Sequence, residues 1–365
     1  MPDMTIKNES IKREYFNHCR SAQGFAESTI NKYAQCIYKW QMCFDNDDFV
    51  NFSKEQCDEF KKYLKVEAEK KGTSFSGQYD VLRHVKKFFL WLSDQREYRK
   101  IRKTDLDYLR LSKKETSIAL EKKEKDIPSL DEIKKIVQNI SSTSETDMRD
   151  KALIAFLILT GMRISAVVSL PVQAFNRKEL SIEQSPSMGV KTKNSKKILS
   201  TFLPINWKEG EDMFFEWFDY LITQKGFTSQ KPIFPATKSF STKKVSNEFW
   251  GTSGPARKII KERCKEADVQ YYNPHSFRHS VVAFMSERGL TEADKRAISL
   301  VLGHEHVGTT FGSYGYGSIT PKDAVKRVRD MKYQTNNDLA ISLPDEELGK
   351  LIKEAIINRN SKTLI

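Results

Sequence analysis

The chain has 365 residues, of which 39% are hydrophobic and 30% charged, and carries a net charge of +13 at pH 7. That is long enough for two domains with separate cores and too apolar for global disorder. The positive balance favours a polyanionic partner, above all nucleic acid, over the plainer reading of a merely basic enzyme.

Five cysteines (Cys19, Cys36, Cys43, Cys57 and Cys264) are odd in number and lack C-x-x-C spacing. The expectation is therefore no zinc knuckle and no disulfide framework, in a reducing cytoplasm. The opening "MPDMTIKNES" has no apolar core of a signal peptide, and the longest apolar run, "ALIAFLILTGM", is too short to span a bilayer.

Residues 10 to about 112 read as helices. In "STINKYAQCIYKWQMCF" a stripe of Ile30, Tyr33, Cys36, Ile37, Trp40 and Phe44 follows a candidate N-cap at Ser28. "SKEQCDEFKKYLKVEAEKK" opens with the capping-box pattern Ser53 to Gln56. "YDVLRHVKKFFLWLSDQ" sets Leu82, Val85, Phe88, Phe89 and Leu92 on one face against Arg83, Lys86 and Lys87. Core packing explains the stripes. The basic faces are either solvated or grip phosphates. The charge-dense 112–128, ending in Pro128, reads as an exposed linker. A capped helix should restart at Ser129, with Glu132 three residues on.

The second half begins helical and then changes. "KELSIEQ" and "KKILSTFLPI", with turn signals between them, predict a small antiparallel sheet. In "GPARKIIKERCKEA" the residues Arg257, Lys258, Lys261 and Arg263 form a basic helical face. The tail segment "DEELGKLIKEAIINR" is an amphipathic helix candidate that needs a surface to dock on.

The chemistry concentrates in a few short stretches. Two of the six histidines flank an arginine in "HSFRH". Asn273 suits an N-cap and Pro274 the first helical position, which puts His275 and Arg278 one turn apart near the positive helix end, where an anion is welcome. The helix should end before Gly289. Thr291 should cap the next helix, with Gly303 at its far end and His304 in the turn beyond. Tyr314 and Tyr316 follow among glycines. Upstream, an apolar helix breaks at Gly161 and Arg163 comes next, a costly neighbour unless an anion pairs with it.

Together, "TGMRIS" with Arg163, "HSFRH" with His275 and Arg278, "LGHEHVGTT" with His304 and "SYG" with Tyr314 resemble the tyrosine recombinases, the phage-integrase-type site-specific recombinases. Each motif alone is weak; in this order and spacing they are strong. The resemblance covers nearly the whole chain. It implies a mainly α two-domain DNA clamp with a small antiparallel β-sheet in the C-terminal domain. Its parts would be a helical core-binding (SAM-like) domain at 1–112, a linker at 113–128, a catalytic domain at 129–335 and a tail helix within 336–365 that contacts another subunit.

The resemblance also implies a DNA strand transferase that forms a 3′-phosphotyrosine, with no metal or other cofactor. Tyr314 would be the nucleophile, with Tyr316 the runner-up. Arg163 and Arg278 would clamp the phosphate, His275 would act as base, and His304 would hydrogen-bond the phosphate. Lys191, in "GVKTKNSKKIL", matches the family's general acid, with Lys193 as the alternative. The implied partners are a double-stranded recombination site and further copies of the chain in a tetramer, with a directionality or accessory DNA-binding protein as an optional addition and no membrane. The place would be the cytoplasm, at the nucleoid. The family's acidic residue three after the first arginine is here Ala166, which removes a group that would orient the site.

Three rival readings remain. A metal nuclease could use His275, His279, His304 and His306, although no carboxylate cluster accompanies them. A DNA-binding protein with dead chemistry and a type IB topoisomerase are the others. With no small β-rich domain expected ahead of the helices, the sequence leans toward a simpler recombinase of a mobile element or a chromosome-dimer system.

Overall fold

The structure, a computed structural model, describes residues 2–71, 74–121, 126–239, 241–286, 288 and 290–311. The chain divides into two compact units, Met1–Lys123 and Glu124–Ile365.

Helices α1 (Pro2–Ser21), α2 (Glu27–Cys43), α3 (Lys54–Lys71), α4 (Phe75–Leu92) and α5 (Lys113–Leu120) form the first unit. Its core is largely aromatic. Trp40 meets Phe89 edge-on at 4.8 Å, and Tyr15 meets Phe88 likewise at 5.1 Å, which is the geometry that ring quadrupoles favour. The expected stripes are buried on α2 and α4, apart from Phe44, which is half-buried against Trp40. Ser53 and Gln56 exchange the hydrogen bonds of a capping box. Ser28 is not the cap of α2: that helix starts at Glu27, with Ala26 at the cap position, two residues earlier.

The stretch read as linker contains α5. Ser112 and Glu115 cap it reciprocally, and its buried Ala119 joins the core of the unit. On α4, Arg83 and Lys86 are engaged by Asp80 and Asp107 at 3.2 and 2.7 Å, so part of that basic face is already neutralised.

The second unit is mainly helical with a small antiparallel sheet. Its elements are α6 (Leu130–Asn139), α7 (Glu145–Thr160), α8 (Ile164–Val167), β1 (Phe175–Asn176), β2 (Ser181–Gln184), β3 (Ile198–Thr201) and α9 (Lys208–Thr223). After these come β4 (Thr237–Ser239), β5 (Lys244–Val245), α10 (Gly254–Glu266), α11 (Pro274–Ser286), α12 (Glu292–Val301) and α13 (Val307–Phe311). The apolar α7 is the central post. It is buried on nearly every side, with α6, α9, α10 and α11 packed around it. Strand β2 pairs antiparallel with both β1 and β3, with Glu183 opposite Leu199, and β3 rests against α12. The predicted strand pair is thus present. Strand β1 and the β4–β5 hairpin are too short to show an alternating pattern.

Arg263 does not belong to the basic face of α10. Its guanidinium turns inward to Asp150 at 2.7 Å and to Asp147 at 2.5 Å, while Arg149, also buried, holds the other oxygen of Asp150 at 2.7 Å. Such a network is costly to break, because removing one member strands buried charge. Arg257, Lys258 and Lys261 remain exposed on α10.

Candidate active site

Helix α7 ends as its sequence requires. Gly161 takes φ +59°, a left-handed turn that closes the helix with its N–H donating to the Leu157 carbonyl. The turn redirects the chain so that Arg163, half-buried, stands at the cap position of α8. Helix α11 begins with Pro274, and the Asn273 side chain accepts from the His275 N–H at 3.0 Å, as the sequence predicted. One turn on, Arg278 is buried. Thr291 and Asp294 form the capping box of α12, and Gly303, at φ +74°, turns the chain so that His304 points back inward.

These turns bring three distant segments to one spot. Arg278 Nη1 donates to the Gly161 carbonyl at 2.9 Å, and Nη2 donates to the Leu302 carbonyl at 2.5 Å. The same Nη2 lies 2.8 Å from His304 Nε2, and Arg163 Nη2 lies 3.3 Å from that atom. A guanidinium can only donate, so Nε2 is the acceptor and the imidazole proton sits on Nδ1. Nδ1 lies 2.9 Å from Thr310 Oγ1. Burial, with the charges of Arg278, Arg163, His275 and Lys193 adding to it, pushes the His304 pKa down to about 3. The imidazole is therefore neutral across the physiological range.

His275 is exposed, and its ring stands 5.1 Å from that of the buried His279. Its charge is one of those that lower the His304 pKa. Lys191 Nζ donates to the Gly251 carbonyl at 2.8 Å, and its backbone N–H is held by Ser169 Oγ. Lys193 is among the charges felt at His304. Ala166 is buried in the core, so that position supplies no carboxylate to the cluster. Among the described residues, no group of three or more His, Cys, Asp and Glu side chains is placed to hold a metal ion. Tyr314, Tyr316, Gly289 and the tail lie outside the described residues. Sequence reasoning missed Thr310 and the carbonyls of Gly161 and Leu302. Backbone acceptors leave no mark in a sequence, and a buried threonine looks like any other.

Gly303 tests how tightly His304 is aimed. A Cβ there would lie 2.4 Å from Ile198 Cδ1, on a backbone that L residues rarely adopt. Gly303→Ala should cost about 1–3 kcal/mol for the conformation alone. A lowered melting temperature together with weakened DNA cleavage is the expected result; unchanged values for both would show that this turn does not aim the imidazole.

The sequence profile of the Phage integrase family matches residues 129–318, just over half of the chain. The chain belongs to the phage integrase family. It is accordingly a tyrosine-type site-specific recombinase, an enzyme that cuts and rejoins DNA. Among relatives of this family, tyrosine recombinase XerD of Vibrio vulnificus (strain YJ016) is 25% identical over 297 residues, 79% of this chain and 85% of the relative. Tyrosine recombinase XerC of Roseiflexus sp. (strain RS-1) is 28% identical over 172 residues, 47% of this chain and 49% of the relative.

Solved integrase structures share the fold at low identity. XerH bound to a palindromic difH substrate superposes with a TM-score of 0.59 at 17% identity, covering 86% of this chain and 83% of that one. A lambda integrase tetramer bound to a Holliday junction gives 0.57 at 13% identity, covering 82% and 77%. Among the described residues, no helix is long and apolar enough to cross a membrane.

Proposed function

We propose that this integrase-family chain recombines specific double-stranded DNA sites through a 3′-phosphotyrosine, with Arg163, Arg278, His304, His275, Lys191 and Tyr314 as its catalytic set. The observation that carries the reading is the meeting of Arg163 and Arg278 at His304 Nε2, at 3.3 and 2.8 Å. Two guanidiniums, one half-buried and one buried, aimed at one point from separate helices, are what a phosphodiester with two non-bridging oxygens calls for.

In this reaction the Tyr314 oxygen attacks phosphorus while His275 takes the phenol proton. The P–O5′ bond breaks, and its electron pair leaves with the 5′ oxygen, which receives a proton from Lys191. Charge grows on the non-bridging oxygens in the transition state, so fixed donors from Arg163, Arg278 and His304 lower the barrier. The phosphotyrosine conserves the energy of the broken ester, so rejoining is the reverse step and needs no nucleotide or metal.

The domain assignment, 1–112 for core binding and 129–335 for catalysis, draws support from the two compact units, with α5 adding to the first. The working form is a tetramer on two duplexes, with the tail helix of 336–365 packing on a neighbouring subunit. The related lambda integrase was solved as a tetramer on a Holliday junction. Work on chromosomal or mobile-element DNA places the enzyme at the nucleoid, in the cytoplasm, where unpaired cysteines persist.

The test is to incubate the protein with sheared DNA of its host, recover what is covalently attached and sequence it. A single recurring sequence motif is expected; random attachment, or none, contradicts site-specific recombination. With that sequence in hand the acid can be assigned. A substrate with sulfur in place of the 5′ oxygen has a leaving group that needs no proton. Lys191→Ala should lose about 100-fold on the ordinary substrate, in keeping with general acid catalysis, and recover on the sulfur substrate. Recovery by Lys193→Ala instead moves the role to Lys193, whose charge is the one felt at His304.

A further inference from the structure

Thr310 is fully buried, on the short α13, with its hydroxyl 2.9 Å from His304 Nδ1. The other ring nitrogen faces two guanidinium donors, from Arg278 at 2.8 Å and Arg163 at 3.3 Å. That fixes one tautomer: Nδ1 keeps the proton and donates a hydrogen bond to Thr310 Oγ1, and Nε2 accepts. A phosphodiester reverses the demand. Its oxygens are acceptors only, they engage the guanidiniums, and His304 can hydrogen-bond them only by donating from Nε2.

We propose that Thr310 is a positioning residue that allows His304 to exchange tautomers, its hydroxyl accepting from Nδ1 while the guanidiniums engage Nε2 and donating to Nδ1 when an anion engages the guanidiniums instead. This rests on the phosphate role proposed above for His304. A hydroxyl is both donor and acceptor and rotates to suit, so one side chain satisfies the buried nitrogen in both states. A carboxylate or an amide carbonyl at this position would lock the proton on Nδ1. The balance is simple: one proton leaves Nδ1, one arrives at Nε2 by way of solvent before the duplex seats, and the net charge of the ring does not change. The charges around the ring are those of Arg278, Arg163, His275 and Lys193. All are cationic or can become so, which disfavours the alternative in which His304 simply takes a second proton.

Nitrogen NMR of the full-length protein labelled with 15N-histidine reads the tautomer directly, with the His304 signals assigned by their loss in His304→Gln. Sulfate serves as a tetrahedral probe with acceptors only. At neutral pH the sulfate-free protein should show a protonated Nδ1 and a bare Nε2, and saturating sulfate should interchange them. Thr310→Val should bind sulfate roughly 10-fold more weakly, because a buried acceptor is then left unmade, and Thr310→Ser should restore binding.

If sulfate shifts the guanidinium signals while the His304 nitrogens keep their original assignment, or if both protonate together, the tautomer exchange is wrong and the phosphate site stands. If the valine variant binds sulfate as the wild type does while the nitrogens still interchange, Thr310 has no part in it. If sulfate moves neither the guanidinium nor the His304 signals, the phosphate site itself falls, and the exchange with it. A threonine of purely structural importance would lower the melting temperature without changing which nitrogen holds the proton.

Discussion

Arg163→Ala should fold and bind DNA nearly as the wild type does, yet form covalent adduct on the order of 100- to 1,000-fold more slowly, the loss typical of one preorganised donor to a developing oxyanion. The reason lies in what the side chain holds. Arg163 is half-buried and reaches His304 across 3.3 Å, whereas Arg278 also satisfies the carbonyls of Gly161 and Leu302. Alanine at 278 would leave buried acceptors unmade and confound stability with chemistry. Alanine at 163 removes mainly the charge proposed to face the phosphate. The measurement is adduct formation per unit time on saturating substrate, with the melting temperature alongside. Full activity of a folded Arg163→Ala would mean that the guanidinium is not aimed at the scissile phosphate.

Tyr314→Phe should abolish the adduct altogether while leaving DNA affinity intact, because phenylalanine keeps the size of the side chain and lacks the hydroxyl proposed to attack phosphorus. Affinity comes from the net charge of +13, which this change does not touch. Gel separation under denaturing conditions distinguishes covalent from bound DNA. If Tyr314→Phe still traps DNA and Tyr316→Phe does not, the nucleophile is Tyr316. That outcome would relocate the attack without disturbing the arginine cluster.

Much of the candidate site was legible in the sequence because its turns are punctuated by residues with few alternatives. Gly161 and Gly303 occupy the left-handed region, Asn273 and Thr291 cap helices, and Pro274 opens one. Each fixes where a neighbouring functional side chain emerges. The helical stripes were legible for the same reason that they fold: residues such as Trp40, Phe88 and Phe89 have no other place to go.

What could not be read depends on partners remote in sequence. Arg263 has the spacing of an exposed basic face, and only the folded chain brings Asp147 and Asp150 to it. The helix α5 was hidden for a different reason. Its lysine content reads as linker, yet "SKKE" is itself a capping box, a local signal outweighed by overall charge. The start of α2 was misplaced by two residues because a serine near a helix start is a frequent cap but not an obligatory one.

The proposition on which everything else depends is that Arg163, Arg278 and His304 share one anion. Diffraction from crystals of the protein soaked in tungstate, a tetrahedral oxyanion with a strong anomalous signal, tests this most directly. The expected result is one peak between the two guanidiniums, with an oxygen in hydrogen-bond reach of His304 Nε2. Tungstate bound elsewhere, with the two arginines still turned onto His304 and no anion between them, would contradict it.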